Sequence, residues 1–80
     1  MSLIKIRYFA ALREQAGKSD EELAISAATA ADLYAQPRLR YNFSLAAEQV
    51  KVAINEEYQP MDCHLNPGDE VVFIPPVSGG

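Results

Sequence analysis

The sequence predicts an α+β fold, one mixed sheet with a helix laid across one face. Two observations carry that prediction. Apolar residues recur at every second position near the start of the chain and around residue 52, the period of half-buried strands. Between these runs stands one segment with helix-start chemistry, Thr29 followed three residues later by Asp32. At 80 residues the chain is one small domain. Domains of this size bury only about 60% of their unfolded surface, so the core is thin and each element has to contribute to it.

Residues 3–9 are expected as the first strand, with Ile4, Ile6 and Tyr8 alternating with Lys5, Arg7 and Phe9. The sequence AALREQA over Ala10–Ala16 reads as a short helix, and Gly17 is a natural residue to close it. Residues 21–25 form a second strand, with Leu23 and Ile25 on one face. Thr29 opens the main helix, which holds Leu33. Pro37 is expected to end it after about two turns, because a proline disfavours helical backbone at the residue before it. Residues 38–43 carry no periodic signal. Ser44 can cap one further turn through Glu48. Val50, Val52 and Ile54 alternate with Lys51, Ala53 and Asn55, a clear strand that turns over residues 55–57 and pairs briefly at Tyr58 and Gln59. Asn66-Pro67-Gly68-Asp69 has the composition of a type II turn, with proline presetting φ and glycine accepting φ > 0. Residues 70–74 are the last strand, ended by Pro75-Pro76, which have no ladder donors. The face of the sheet away from the helix must be solvated or covered by a partner.

Composition excludes several classes of function. One cysteine cannot build a disulfide scaffold, and one Cys with one His cannot build the usual four-ligand zinc site. A net charge of −4 argues against nucleic acid, which needs clustered cations. Residues 1–40 hold six basic and five acidic groups, whereas residues 41–80 hold one basic and six acidic. A partner of the second half is therefore expected to be basic. No stretch approaches the roughly 20 apolar residues of a membrane helix. Lys5, Arg7 and Arg13 interrupt any signal sequence, so a cytoplasmic chain with Cys63 reduced is expected. Cys63 and His64 are neighbours and point to opposite sides in extended chain, which rules out a nucleophile–base pair between them. The same parity separates Glu21 from Glu22 and Glu56 from Glu57, and these read as solvated edge and turn carboxylates. Gly17 and Gly68 punctuate turns rather than cradling a phosphate.

The chemistry is expected at the end of the chain. Pro75-Pro76-Val77-Ser78-Gly79-Gly80 makes a stiff stub followed by a slender tip without side chains. The domain is expected to span 1–75 and the tail 76–80. The Gly80 carboxylate is ionised at neutral pH, since α-carboxyls titrate near about 3.5. A carboxylate is a poor electrophile. Joined to a nucleotide as a mixed anhydride it gains a leaving group, and without Cβ at Gly79 or Gly80 nothing shields the acyl carbon.

These residues carry a resemblance. DEVVFIPPVSGG at 69–80, the NPGDE turn, VAIN at 52–55 and RYFAALREQAG at 7–17 resemble the small, sulfur-carrier subunit of molybdopterin synthase, the MoaD-type family. The resemblance spans the whole chain. Only residues 34–43, with Pro37, depart from a segment the family continues as helix. It implies a ubiquitin-like β-grasp fold and a carrier that binds no cofactor of its own. Gly80 would be adenylated by an ATP-dependent activating enzyme and converted to a thiocarboxylate with sulfur from a donor. The tail would then enter the large synthase subunit and give its sulfur to a pyranopterin, forming the dithiolene. A heterotetramer is implied, with a small subunit at each end of a large-subunit dimer. Phe9, Tyr58 and Ile74 match partner-contacting positions. Pro75, Pro76, Val77 and Ser78 would thread into the partner, and Arg13 is a further polar candidate. If Ile4, Ile6, Tyr8 and Phe73 face the helix, Phe9 and Ile74 face away.

Other readings remain open at this point. A thiazole-pathway sulfur carrier or a ubiquitin-like protein modifier would also end in Gly-Gly. A β-grasp interaction module would use no tail chemistry. A stand-alone enzyme has no catalytic constellation to stand on.

Overall fold

The computed structural model describes residues 2–26 and 28–76. Strand β1 (Ser2–Tyr8) leads into helix α1 (Ala10–Ala16) and strand β2 (Asp20–Ile25). Helix α2 (Ala30–Tyr41), a 3₁₀ turn at Ala47–Gln49 and strands β3 (Lys51–Ile54), β4 (Glu57–Gln59) and β5 (Glu70–Ile74) follow. The five strands make one sheet in the order β2-β1-β5-β3-β4. Only β1 and β5 run parallel. The mixed sheet with a helix across one face is the β-grasp architecture.

Alternation decides which face is buried. Ile4, Ile6 and Tyr8 of β1, Val52 and Ile54 of β3, and Val71 and Phe73 of β5 all point into the core, where they meet Leu12, Leu33 and Tyr34. The start of α2 follows its capping signal. Thr29 Oγ1 accepts from the Asp32 N–H at 3.2 Å, and Asp32 Oδ2 accepts from the Thr29 N–H at 3.3 Å. The next two donors, Ala30 and Ala31 N–H, reach the carbonyls of Cys63 and Met61 at 3.1 and 2.8 Å. These bonds satisfy helix-end groups that would otherwise be orphaned.

Pro37 does not end α2. The helix runs 12 residues, through the proline to Tyr41, and the Pro37 ring is buried. A proline in a helix interior costs about 3 kcal/mol or more in isolation. Tertiary packing offsets that cost here. Asn42 closes the helix in the left-handed region at φ 58, and the N–H groups of Asn42 and Phe43 both donate to the Arg38 carbonyl. Phe43 then turns inward, stacked on Tyr34 with ring centroids 5.8 Å apart and edge-on to Tyr8 at 5.7 Å. The aromatic anchor after the helix holds the turn that the proline would release. Ser44 does not cap the following turn. It is clamped to α1 instead, donating its N–H to Gln15 Oε1 and accepting from Gln15 Nε2 at 3.2 and 3.1 Å.

A second expectation is corrected at Glu21. Glu22 is exposed, but the Glu21 side chain is 11% exposed and lies on the helix side of the sheet, opposite Ile6 in register. Its carboxylate accepts from the Tyr8 hydroxyl at 2.5 Å and from the Tyr41 hydroxyl at 2.8 and 2.9 Å. Lys18 Nζ and Arg40 Nη1 stand 3.5 and 3.9 Å away. Burial alone would raise the Glu21 pKa. The two tyrosine hydrogen bonds and the charge of Lys18 outweigh it and hold the carboxyl below its ordinary value. Burial, and then the Glu21 hydrogen bond and charge, push the Tyr8 phenol far above its usual range. The fold thus uses Glu21 as a hub joining β1, β2 and the last turn of α2.

The turns are equally specific. Asp69 N–H donates to the Asn66 carbonyl at 3.2 Å and Gly68 has φ 87, the type II pattern. The buried Asp69 carboxylate accepts from the Asn66 N–H at 2.8 Å and from Asn55 Nδ2 at 3.0 Å. It ties this turn to the β3–β4 hairpin. Asn55 and Glu56 form that hairpin's two-residue loop, at φ 52 and 73, a type I′ geometry that favours glycine in the second place. Glu56→Gly is expected to raise stability by about 0.5–1 kcal/mol, the relief of a left-handed side chain less the added chain entropy of glycine. A denaturant midpoint no higher than that of the unaltered chain would contradict this.

Candidate functional site at the root of the C-terminal arm

β5 is the central strand, so the chain leaves the sheet at its middle rather than at an edge. Its last paired residues are Phe73, opposite Tyr8 of β1 and Val52 of β3, and Ile74, opposite Lys51. Pairing stops at Pro75-Pro76, which bring no donor to a ladder. Pro75 is half-buried and Pro76 is exposed. The arm therefore starts from a fixed base.

Beside that base lies an open groove of about 660 Å³. Phe9, Ile74, Pro75 and Pro76 form part of its wall. Ala10 and Ala11 of α1 and Leu45 complete the apolar lining, and Glu14 is its one charged residue. Phe9 is 50% exposed, in extended backbone directly before α1. Ala10 follows at φ 50, in the left-handed region, so the chain is strained where it swings from β1 into α1. The groove owes its shape to that bend.

Of the sequence-predicted partner residues, Phe9, Ile74, Pro75 and Pro76 come together here. Tyr58 does not line this groove. It is 76% exposed on β4, opposite Ala53, which is in turn opposite Val72. Tyr58 shares the outward face of the sheet with Ile74 but sits diagonally across it, beside Lys51 and Pro60. Arg13 is exposed on α1 and is not in the groove wall. Val77, Ser78, Gly79 and Gly80 lie outside the described residues. Sequence reasoning missed Ala10, Ala11, Glu14 and Leu45. The spacing of Ala10 and Glu14, four apart on one helix, was the available signal for the first three. Leu45 follows the segment without periodicity and gave none.

The other titratable clusters are differently placed. Cys63 is half-buried, with Sγ 3.4 Å from the His64 carbonyl oxygen, and the exposed His64 bridges Thr29. Among the described residues no group of three His, Cys, Asp or Glu could hold a metal, and no helix is long and apolar enough to cross a membrane.

Comparison with known proteins places these features in a lineage. The chain is 35% identical to the molybdopterin synthase sulfur carrier subunit of Escherichia coli, over 98% of this chain and 100% of that one. A solved structure from Pyrococcus furiosus, described as a putative molybdopterin converting factor, subunit 1, superposes with a TM-score of 0.78 at 30% identity, covering 96% of this chain and 100% of that one. The crystal structure of SAMP1 from Haloferax volcanii superposes with a TM-score of 0.80 at 25% identity, covering 99% and 100%. The ThiS family matches residues 6–80, from the first strand to the final glycine. The match takes in β2 to β5, the end of β1, the groove and the whole arm, and by it the chain belongs to the ThiS family.

Proposed function

We propose that this chain is the sulfur-carrier subunit of a molybdopterin synthase. The observation that carries the reading is the arm's base, a proline-stiffened exit from the central strand beside an exposed apolar groove, in a chain whose family match extends to Gly80. The name of the Escherichia coli relative supports it. The Gly80 carboxylate attacks the α-phosphorus of ATP on an activating enzyme, and pyrophosphate leaves. Hydrosulfide delivered by a sulfur donor then attacks the acyl carbon, AMP leaves with the electrons of the anhydride bond, the thiol proton is lost, and a thiocarboxylate remains. With the arm in the large subunit, that sulfur passes to a pyranopterin precursor and water returns the glycine carboxylate; two charged arms in turn supply the two sulfurs of the dithiolene. The carrier supplies the reactive atom and the large subunit the pocket, in a heterotetramer. ATP is consumed by the activating enzyme and no cofactor resides on this chain.

Intact-mass spectrometry tests the proposal. Incubation with ATP, a sulfur source and the cognate activating enzyme is expected to add the mass difference between sulfur and oxygen. No gain would refute it. The likeness to SAMP1, a small archaeal modifier protein, favours a second reading in which the same activated carboxyl is passed to a protein lysine. Adducts to protein with no transfer to the pterin precursor would favour that reading.

The groove is the proposed seat of the large subunit. Phe9→Ala or Ile74→Ala is expected to weaken binding to it by about 1–2 kcal/mol or more, the loss typical of a central apolar anchor. Unaltered affinity of both variants by calorimetry would exclude this face.

A further inference from the structure

Helix α2 carries a surface that the sulfur-carrier reading does not use. Leu39 is 86% exposed, more than any other large apolar side chain among the described residues. A single exposed leucine needs no explanation. This one adjoins an open groove of about 530 Å³ formed with Tyr34, Ala35, Arg38, Asn42 and Phe43. Arg38 is the one charged residue lining it. Arg38 also enters no ion pair among the described residues, whereas Arg40 stands 3.9 Å from Glu21. The helix keeps this turn despite the proline inside it, because Pro37 and Phe43 are packed in the core. Arg38 and Leu39 are therefore presented on fixed backbone.

The groove continues past Ala31 and Ala47 into a second one of about 530 Å³, which ends among Glu48, Lys51, Met61 and Asp62. The two ends differ in charge. The first offers a cation without a carboxylate; the second offers two carboxylates and one lysine. Neither half shares a residue with the groove at the root of the arm.

We propose that this channel on α2 is a docking site for an extended segment of a partner protein. That segment carries a carboxylate at the Arg38 end, apolar side chains against Leu39, Ala31 and Ala47, and a basic group at the Glu48–Asp62 end. The charge difference sets the direction in which it lies. Because the site and the groove by the arm are separate, both can be occupied at once.

The test titrates the full chain, labelled with nitrogen-15, with the capped peptide Glu-Leu-Ala-Leu-Lys. Saturable shifts are expected at amides of residues 31–47 and 59–62. Replacing the peptide's glutamate by lysine, or making Arg38→Ala, is expected to weaken binding about three- to five-fold, the effect of one exposed ion pair. Leu39→Ser should weaken it as well, and since Leu39 is exposed the fold is retained. Absence of saturable shifts, shifts confined to the outward sheet face, or equal binding by both peptides would overturn the proposal. So would self-association through residues 31–47 that Leu39→Ser abolishes, which would make the occupant a second copy of this chain.

Discussion

Removal of Gly79 and Gly80 is expected to bring sulfur transfer to background while leaving the unfolding midpoint unchanged. The two halves of that result have separate causes. The fully buried large side chains run from Ile4 to Phe73, and the last strand residue is Ile74. The core and the sheet formed by the described residues are closed by Ile74, so loss of residues 79 and 80 removes no described packing. Function depends on them in two ways. A carboxyl on Ser78 would fall short of an active site reached by the full arm, by two residues or up to about 7 Å of extended chain. It would also carry a Cβ next to the acyl carbon, where the natural end has none. Misplacement of reacting atoms by even 1 Å can cost on the order of 100-fold, so a shortfall of this size leaves no productive approach. Circular dichroism and a denaturant titration report the fold, and dithiolene formation with the large subunit reports transfer. Transfer at the full rate by the truncated chain would sink the carrier proposal. It would leave a β-grasp interaction module as the better account.

The parts of this fold that were legible in the sequence share one property: their signal lies within a few residues of itself. Ile4, Ile6 and Tyr8 announce a strand because each is two positions from the next, and all three are buried. Thr29 and Asp32 announce a helix start across one turn and make the reciprocal bonds expected of them. Asn66 to Asp69 announce a turn in four consecutive residues. What stayed hidden depends on partners far along the chain. The cost of Pro37 is local, but the packing that offsets it comes from the sheet and from Phe43 against Tyr8, which is 35 positions away in sequence. Glu21 read as a solvated edge because its hydrogen-bond donors, Tyr8 and Tyr41, stand 13 and 20 residues off. The candidate site divides the same way. Parity put Phe9 and Ile74 away from the helix, and the arm's composition named its prolines. The groove between them needed α1 and Leu45 brought alongside by the fold.

Glu21→Ala should be among the most destabilising single substitutions in this chain, although the residue lies on an edge strand. It removes the acceptor of two tyrosine hydroxyls at once, and Tyr8 is only 1% exposed. Hydrogen bonds to a charged group contribute about 1.5–3 kcal/mol each, and a buried hydroxyl left without a partner costs about 1–3 kcal/mol. The bonds are coupled through one carboxylate and do not add in full, so the expected loss is about 2–4 kcal/mol. Domains of this size hold only roughly 4–12 kcal/mol in total. Glu21→Gln keeps one acceptor oxygen and should lose about half as much. Acid provides an independent check. The folded-state carboxyl is held below its ordinary value of 4.5, so its stabilisation is fully present above that pH. It is lost as the pH falls through the lower, folded-state value. Part of the acid-side loss of stability in the natural chain should therefore vanish in Glu21→Gln, whose side chain does not titrate. Tyr41→Phe, which keeps the carboxylate and its bond from Tyr8, should reduce that slope without abolishing it. Equal slopes in all three chains, or a denaturant midpoint for Glu21→Ala within error of the natural one, would mean that the carboxylate is a bystander and that aromatic packing alone holds the end of α2 to the sheet.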